Sequence, residues 1–240
     1  GATAIGTTVT AAPGYPELAV KNLAELTGID FKNSEDLIAA TSDCGAYMTL
    51  SSAIKGLAVK MTKVCNDIRL LASGPRCGLK EINLPQLQPG SSIMPGKVNP
   101  VAAEVANQAS FLAIGLDTTV MLAASAGQLE LNVMEPVITF ALYTQMKVMT
   151  NACDTLRTKL VEGVTANTER CKDYVMNSIG IVTLLKPHFG YQKCAAIAKE
   201  GYTTGKSLHQ IVVDEQHLMT QAEWDATFNT QNLIHPKFVK

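Results

Sequence analysis

Leu50, Ile54, Leu57, Met61, Val64, Ile68 and Leu71 recur at alternating spacings of four and three, the interval that aligns apolar residues on one face of a helix in a bundle. The pattern predicts a helix from Ser42 to Leu71, about 45 Å long at 1.5 Å per residue. A shorter helix is predicted from Pro16 to Leu26, with proline suited to its first turn and Gly28 just past its end. Val101, Val105, Phe111, Leu112, Leu116, Val120 and Leu122 fall on all sides of a third helix ending near Ser125, which predicts a central place in the bundle. At its start, Asn99 is expected to accept from the free first-turn amides, and Pro100 to take the first helical position. A fourth helix follows from Glu135 to Leu160, carried by Val137, Leu142, Met146, Met149, Leu156 and Leu160 and closed by Gly163.

Beyond this point Asn167, Pro187, Gly190, Gly201 and Gly205 are expected to break the chain into short helices. A boundary therefore falls at Thr165, with a helical-bundle domain over residues 1–165 and a small helical domain over 166–240. No segment alternates apolar and polar residues as a strand does. The expected fold is all-α: a long-helix bundle with a small helical C-terminal domain.

Composition sharpens this. Of the 240 residues, 47% are hydrophobic and only 17% charged, against roughly 25% charged in ordinary soluble domains. Much of the helical surface is thus expected to be covered by other subunits. The formal net charge of −1, with no basic run, gives no reason to expect nucleic acid or an anionic membrane as partner. No uninterrupted apolar run approaches the ~18 residues of a membrane span. Cys44, Cys65, Cys77, Cys153, Cys171 and Cys194 form no CxxC pair and are read as reduced, buried thiols of a cytoplasmic protein. His188, His209, His217 and His235 lack metal-ligand spacing, so no bound metal is expected.

The chemistry concentrates in the Gly-, Pro- and Ser-rich stretch from Ala72 to Asn99, long enough to be a functional loop. Gly90 to Lys97 superficially resembles a phosphate-binding P-loop, but five residues separate its glycines and Val98 replaces the required Ser or Thr. Lys97 lies just before a helix N-terminus, where ammonium and helix dipole together favour a carboxylate. Ser91 and Ser92 lie on the same loop. A serine alkoxide stabilised by Lys97 and oriented backbone amides can accept a proton. Gly90 and Gly96 are expected to provide the freedom to close the loop over the site.

Gly90 to Pro100 resembles the signature loop GSSxMPxKxNP of the aspartase/fumarase superfamily. Gly1 to Thr7, Gln128 to Ile138, Asn177 to Thr183 and Gln231 to Pro236 resemble further segments of that family, so the likeness runs through the whole chain. Met134-Glu135-Pro136 and Asn232 to Pro236 resemble its ammonia-lyase branch acting on aspartate rather than the fumarases, argininosuccinate lyases or adenylosuccinate lyases. The loop itself is shared with fumarases.

The resemblance implies cofactor-free, reversible elimination of ammonia from L-aspartate to fumarate in a homotetramer whose active sites each draw on three subunits. It implies Ser91 as the base, Lys97 and Asn99 as holders of the substrate carboxylate, and Ser92 with the amides around Gly90 and Gly96 in support. Glu104 matches a family glutamate that supports a histidine from another subunit. Ala2, Thr8 and Thr10 depart from the glycine, glycine and asparagine usual in the family. Two upstream active-site segments of the family, a Ser/Thr-rich loop and a GRTH-like segment, are not found. The chain is therefore read as the C-terminal half of such an enzyme, with a fumarase and a catalytically incomplete assembly fragment as the competing readings.

Overall fold

A computed structural model describes Thr3 and residues 5–234. The chain divides into two compact units, Gly1–Thr165 and Ala166–Lys240. Among the described residues the only strands are two of two residues each, Ile82–Asn83 and Thr165–Ala166, and the fold is all-α.

The first unit is built on three long helices, α2 (Gly45–Leu71), α3 (Val101–Ser125) and α4 (Glu135–Lys159), preceded by α1 (Tyr15–Thr27). Pro16 opens α1, and Gly28 closes it in the left-handed conformation, its amide donating to Ala24 O at 2.9 Å. The α2 helix begins at Gly45, later than expected, and a 3₁₀ turn over Ala39–Thr41 precedes it. Helix α3 packs against both α2 and α4, as its apolar character predicts.

The residues that pack these helices are smaller than the pattern suggested. Ala58, Met61 and Cys65 of α2 meet Ala102, Ala103, Ala106 and Ala113 of α3 and Met149 and Ala152 of α4 in one buried cluster. A second joins Val120 and Ala123 to Ile138, Ala141 and Leu142. Leu50, Leu57 and Val64, three of the seven residues of the expected α2 seam, are exposed. So are Val105, Phe111, Leu112 and Leu122 of α3 and Phe140 and Tyr143 of α4. Small residues let helix axes approach closely, and large apolar ones are left on the outward faces.

Polar groups also cross this core. Ser51 Oγ donates to Asp117 Oδ1 at 2.8 Å, and Lys55 Nζ donates to Asp117 Oδ2 at 2.5 Å. The Gln145 amide donates to Ser51 Oγ at 3.1 Å and Ala113 O at 2.9 Å. Burial by itself pushes the Asp117 carboxyl up, but hydrogen bonds from Lys55 and Ser51 and the Lys55 charge outweigh it and hold the group below the ordinary carboxylate value. These bonds join three helices and fix their register, although the buried Gln145 Oε1 is left without a partner. By length and composition α3 could cross a membrane, with mean hydropathy 1.2 over 18 residues, although no uninterrupted apolar run suggested it. Its buried Asn107 and Asp117 and its place between two helices are features of a bundle helix.

The second unit contains α5 (Thr168–Met176), α6 (Lys186–Thr204), α7 (Gln221–Thr227) and α8 (Thr230–Ile234). Pro187 and Gly201 do not break it as expected. Pro187 lies in the first turn of α6, where its missing N–H costs nothing, and Gly201 is buried within that helix. Gly190, at φ 72°, kinks α6, and Gly205, also at φ 72°, ends it. The core packs Leu185, Ile197, Ile211 and Val212 with Trp224 stacked on Phe228 at 3.9 Å. Thr220 and Glu223 cap α7 reciprocally.

Candidate active site

The loop between α2 and α3 is the longest irregular stretch of the first unit, and its two ends are tied. The Asn99 side-chain amide donates to Gly90 O at 2.6 Å. Asn99 therefore does not cap α3 as its position suggested; Pro100 takes the N-cap position, with φ −79° and ψ 51°, and the helix starts at Val101. Glu104 N–H donates to Pro100 O at 3.0 Å, closing the first turn. The Glu104 side chain lies in that turn and is half-buried.

Gly90 serves close approach more than freedom. A Cβ there would lie 1.8 Å from Lys97 O, so any side chain would force the loop ends apart. Gly96 serves conformation: its φ is 79°, with open space around an added Cβ. Between them Ser91 Oγ accepts from the amides of Ile93 at 3.1 Å and Met94 at 3.2 Å. Two N–H groups thus point at one hydroxyl oxygen, an arrangement that favours negative charge on it. Ser92 is exposed on the same turn.

A cleft of about 510 Å³ opens beside the loop. Its lining includes Met94 to Pro100, with Lys97 and Asn99 among them, together with Arg69 at the end of α2, Ser73, Gly74 and Lys80. Gly90, Ser91 and Ser92 lie outside this lining. The loop thus brings Lys97 and Asn99 together at the cleft, while Ser91 lies on the same loop outside its lining. Among the described residues no group of His, Cys, Asp and Glu is arranged to hold a metal ion.

A family described as lyase matches residues 1–115, including the loop, and one described as fumarase C C-terminus matches 181–235. Aspartate ammonia-lyase of Escherichia coli (strain K12) is 57% identical over 238 residues, 99% of this chain and 50% of that protein. This chain belongs to the aspartase/fumarase superfamily. It spans about half the length of the curated relatives it matches.

Superfamily structures share the fold. The crystal structure of fumarate lyase:delta crystallin from Brucella melitensis superposes with TM-score 0.89 at 41% identity, covering 95% of this chain and 49% of that one. The class II fumarase of Schistosoma mansoni gives TM-score 0.89 at 32% identity, covering 98% and 53%.

Two departures from the superfamily pattern have structural consequences. Thr8 and Thr10 adopt φ of 58° and 67°, left-handed conformations that glycine and asparagine tolerate and β-branched residues resist. Ala2 and His235-Pro236 lie outside the described residues. The thiols also differ from expectation. Cys44, Cys65 and Cys194 are buried, Cys171 is half-buried, and Cys77 and Cys153 are exposed. Cys77 sits in the irregular loop after α2, and Cys153 falls on the outward face of α4.

Sequence reasoning missed Asn132. Its amide donates to Ala123 O at 3.0 Å and toward Cys44 Sγ at 3.3 Å, and its Oδ1 accepts from Met134 N at 2.8 Å. It joins the end of α3, the start of α4 and the entrance to α2. The signal was an asparagine between apolar residues immediately before a Met-Glu-Pro helix start.

Proposed function

We propose that this chain contributes the proton-abstracting part of an ammonia-lyase active site that converts L-aspartate to fumarate and ammonia. The observation that carries the reading is the intact signature loop, with two backbone amides on Ser91 Oγ, in a chain 57% identical to an aspartate ammonia-lyase. In this reading Ser91, as alkoxide, takes a proton from the carbon beside the substrate's side-chain carboxylate. The electron pair left behind enters that carboxylate and gives a dianionic aci-acid. Lys97 and Asn99 hold the carboxylate where charge accumulates, and preorganised donors at such a position are a large source of rate enhancement. The pair then forms the carbon–carbon double bond as the bond to nitrogen breaks and ammonia leaves. No cofactor takes part.

Ser92 and the amides near Gly90 and Gly96 support the anion, and Glu104 orients a histidine from a neighbouring subunit. The assembly is a cytoplasmic homotetramer with shared active sites. What supports assembly is the apolar surface left outward on the long helices, such as Phe111 at 56% and Phe140 at 65% exposure. A fumarase reading draws on the likeness to the Schistosoma enzyme. Supplying the assembled protein with L-aspartate and L-malate separately distinguishes the two. Light scattering tests the tetramer, and a monomeric mass would remove it.

A further inference from the structure

The second unit holds an imidazole between two oxygen acceptors. His209 Nδ1 stands 3.3 Å from Asp214 Oδ2, and its Nε2 stands 2.8 Å from Gln221 Oε1. Local winding makes the first contact. His209 is the N-cap of a π-helical turn over Gln210–Glu215. Residues five apart, as His209 and Asp214 are, lie about 140° apart around an α-helix, whereas the wider π-turn bonds residues at that spacing and brings them to one side. The second contact comes from α7, which Gln221 opens.

The Gln221 side chain is pinned with its oxygen toward the ring, because its Nε2 donates to Asp225 Oδ1 at 2.8 Å. Both ring nitrogens therefore face oxygen. A neutral imidazole has one N–H and satisfies one acceptor, while an imidazolium has two and satisfies both. The other charged groups around the π-turn are engaged elsewhere. On α7, Glu223 is bonded to Thr220 and lies within electrostatic reach of His188 on α6. Lys193 and Glu200, also on α6, bond Gln216, and Lys206 bonds Glu215. The His209 ring lies against the buried Trp224, with centroids 5.1 Å apart and planes at 86°. Trp224 is the single tryptophan of the 240 residues, and a charged imidazole beside an indole quenches its emission.

We infer that His209 is a proton-operated clamp: charged, it ties the π-helical turn to α7 through Asp214 and Gln221, and neutral, it lets one of the two go. The clamp closes as pH falls and opens as pH rises through the range, about 5 to 8, in which imidazole changes charge. The Asp214 side chain is 54% exposed, so the contact has the modest strength of a surface pair. Its opening loosens α7 and leaves the unit folded. The clamp stands apart from the reaction proposed for the signature loop.

Amide hydrogen exchange of α7 in the assembled protein, corrected for the intrinsic effect of pH on exchange, tests the clamp at about pH 5 and about pH 8. Protection should fall about threefold at the higher pH, the loss of one modest hydrogen bond. His209→Gln should abolish that difference. Asp214→Asn should abolish it too, while Trp224 emission, measured against Trp224→Phe as the blank, still rises with pH as His209 loses its proton. Equal protection of α7 at both pH values, or a difference that survives in His209→Gln, would overturn the clamp. If His209→Gln does not fold, Asp214→Asn decides, since a pH difference unchanged in that variant overturns the clamp equally.

Discussion

The side-chain amide of Asn99 is bonded to the carbonyl of Gly90 at 2.6 Å, across nine residues of chain. Together with the seating of Gly90 against Lys97 O, this bond makes the signature loop a closed ring whose shape depends on both residues. Replacing Gly90 with alanine should push the ring open, displace Lys97 and lower kcat by about 10²-fold, the loss a misplacement near 1 Å produces. Steady-state kinetics on the assembled enzyme, with a thermal melt to show that the fold survives, is the check.

Ser91 and Lys97 have separable duties in the proposed chemistry. Ser91→Ala should lower kcat by about 10³-fold with little change in KM, since a general base acts in the transition state. Lys97→Ala should mainly raise KM, because it holds a charge present on the bound substrate. Near-normal turnover by Ser91→Ala would take serine out of the base role.

Asp117 makes the first unit sensitive to acid. Its folded pKa lies below the ordinary value because Lys55 and Ser51 outweigh burial, so its contribution is complete above the unfolded pKa of about 4. That contribution is lost as pH falls through the lower folded value. Asp117→Asn should cost about 1–2 kcal/mol at neutral pH, less than a fully buried pair because Lys55 is partly exposed. The difference from the unsubstituted protein should shrink below about pH 4. Denaturant melts at neutral and acid pH measure this; a constant difference would contradict it.

Thr8 offers a stabilising change. At φ 58° it occupies a conformation that costs an L residue about 1–2 kcal/mol, and Thr8→Gly should recover about 1 kcal/mol, net of the entropy glycine adds to the unfolded chain. A higher melting temperature is the expected result.

The long helices were legible because leucine, isoleucine, valine and methionine repeat at helical spacing. Which face they would bury was less so. That repeat is set by large residues, whereas the helix contacts use Ala58, Ala103, Ala106 and Ala113, whose weak hydrophobic signal disappears in a composition rich in alanine. The Ser51–Asp117–Gln145 network was hidden for a related reason: a polar residue at a core position reads as an interruption until its partners are brought beside it. Asp117 on so apolar a helix was the available hint. At the site, the glycines, the lysine and the serines were readable from their order. The Asn99 tie to Gly90 was not, since the same residue before a proline fits a helix cap equally well.

The central claim is that this superfamily chain serves an ammonia-lyase. Fumarate formation from L-aspartate by the assembled protein, followed by ultraviolet absorbance with ammonia measured in parallel, tests it most directly. The account predicts equal amounts of fumarate and ammonia from L-aspartate and no fumarate from L-malate; fumarate from L-malate alone would contradict it.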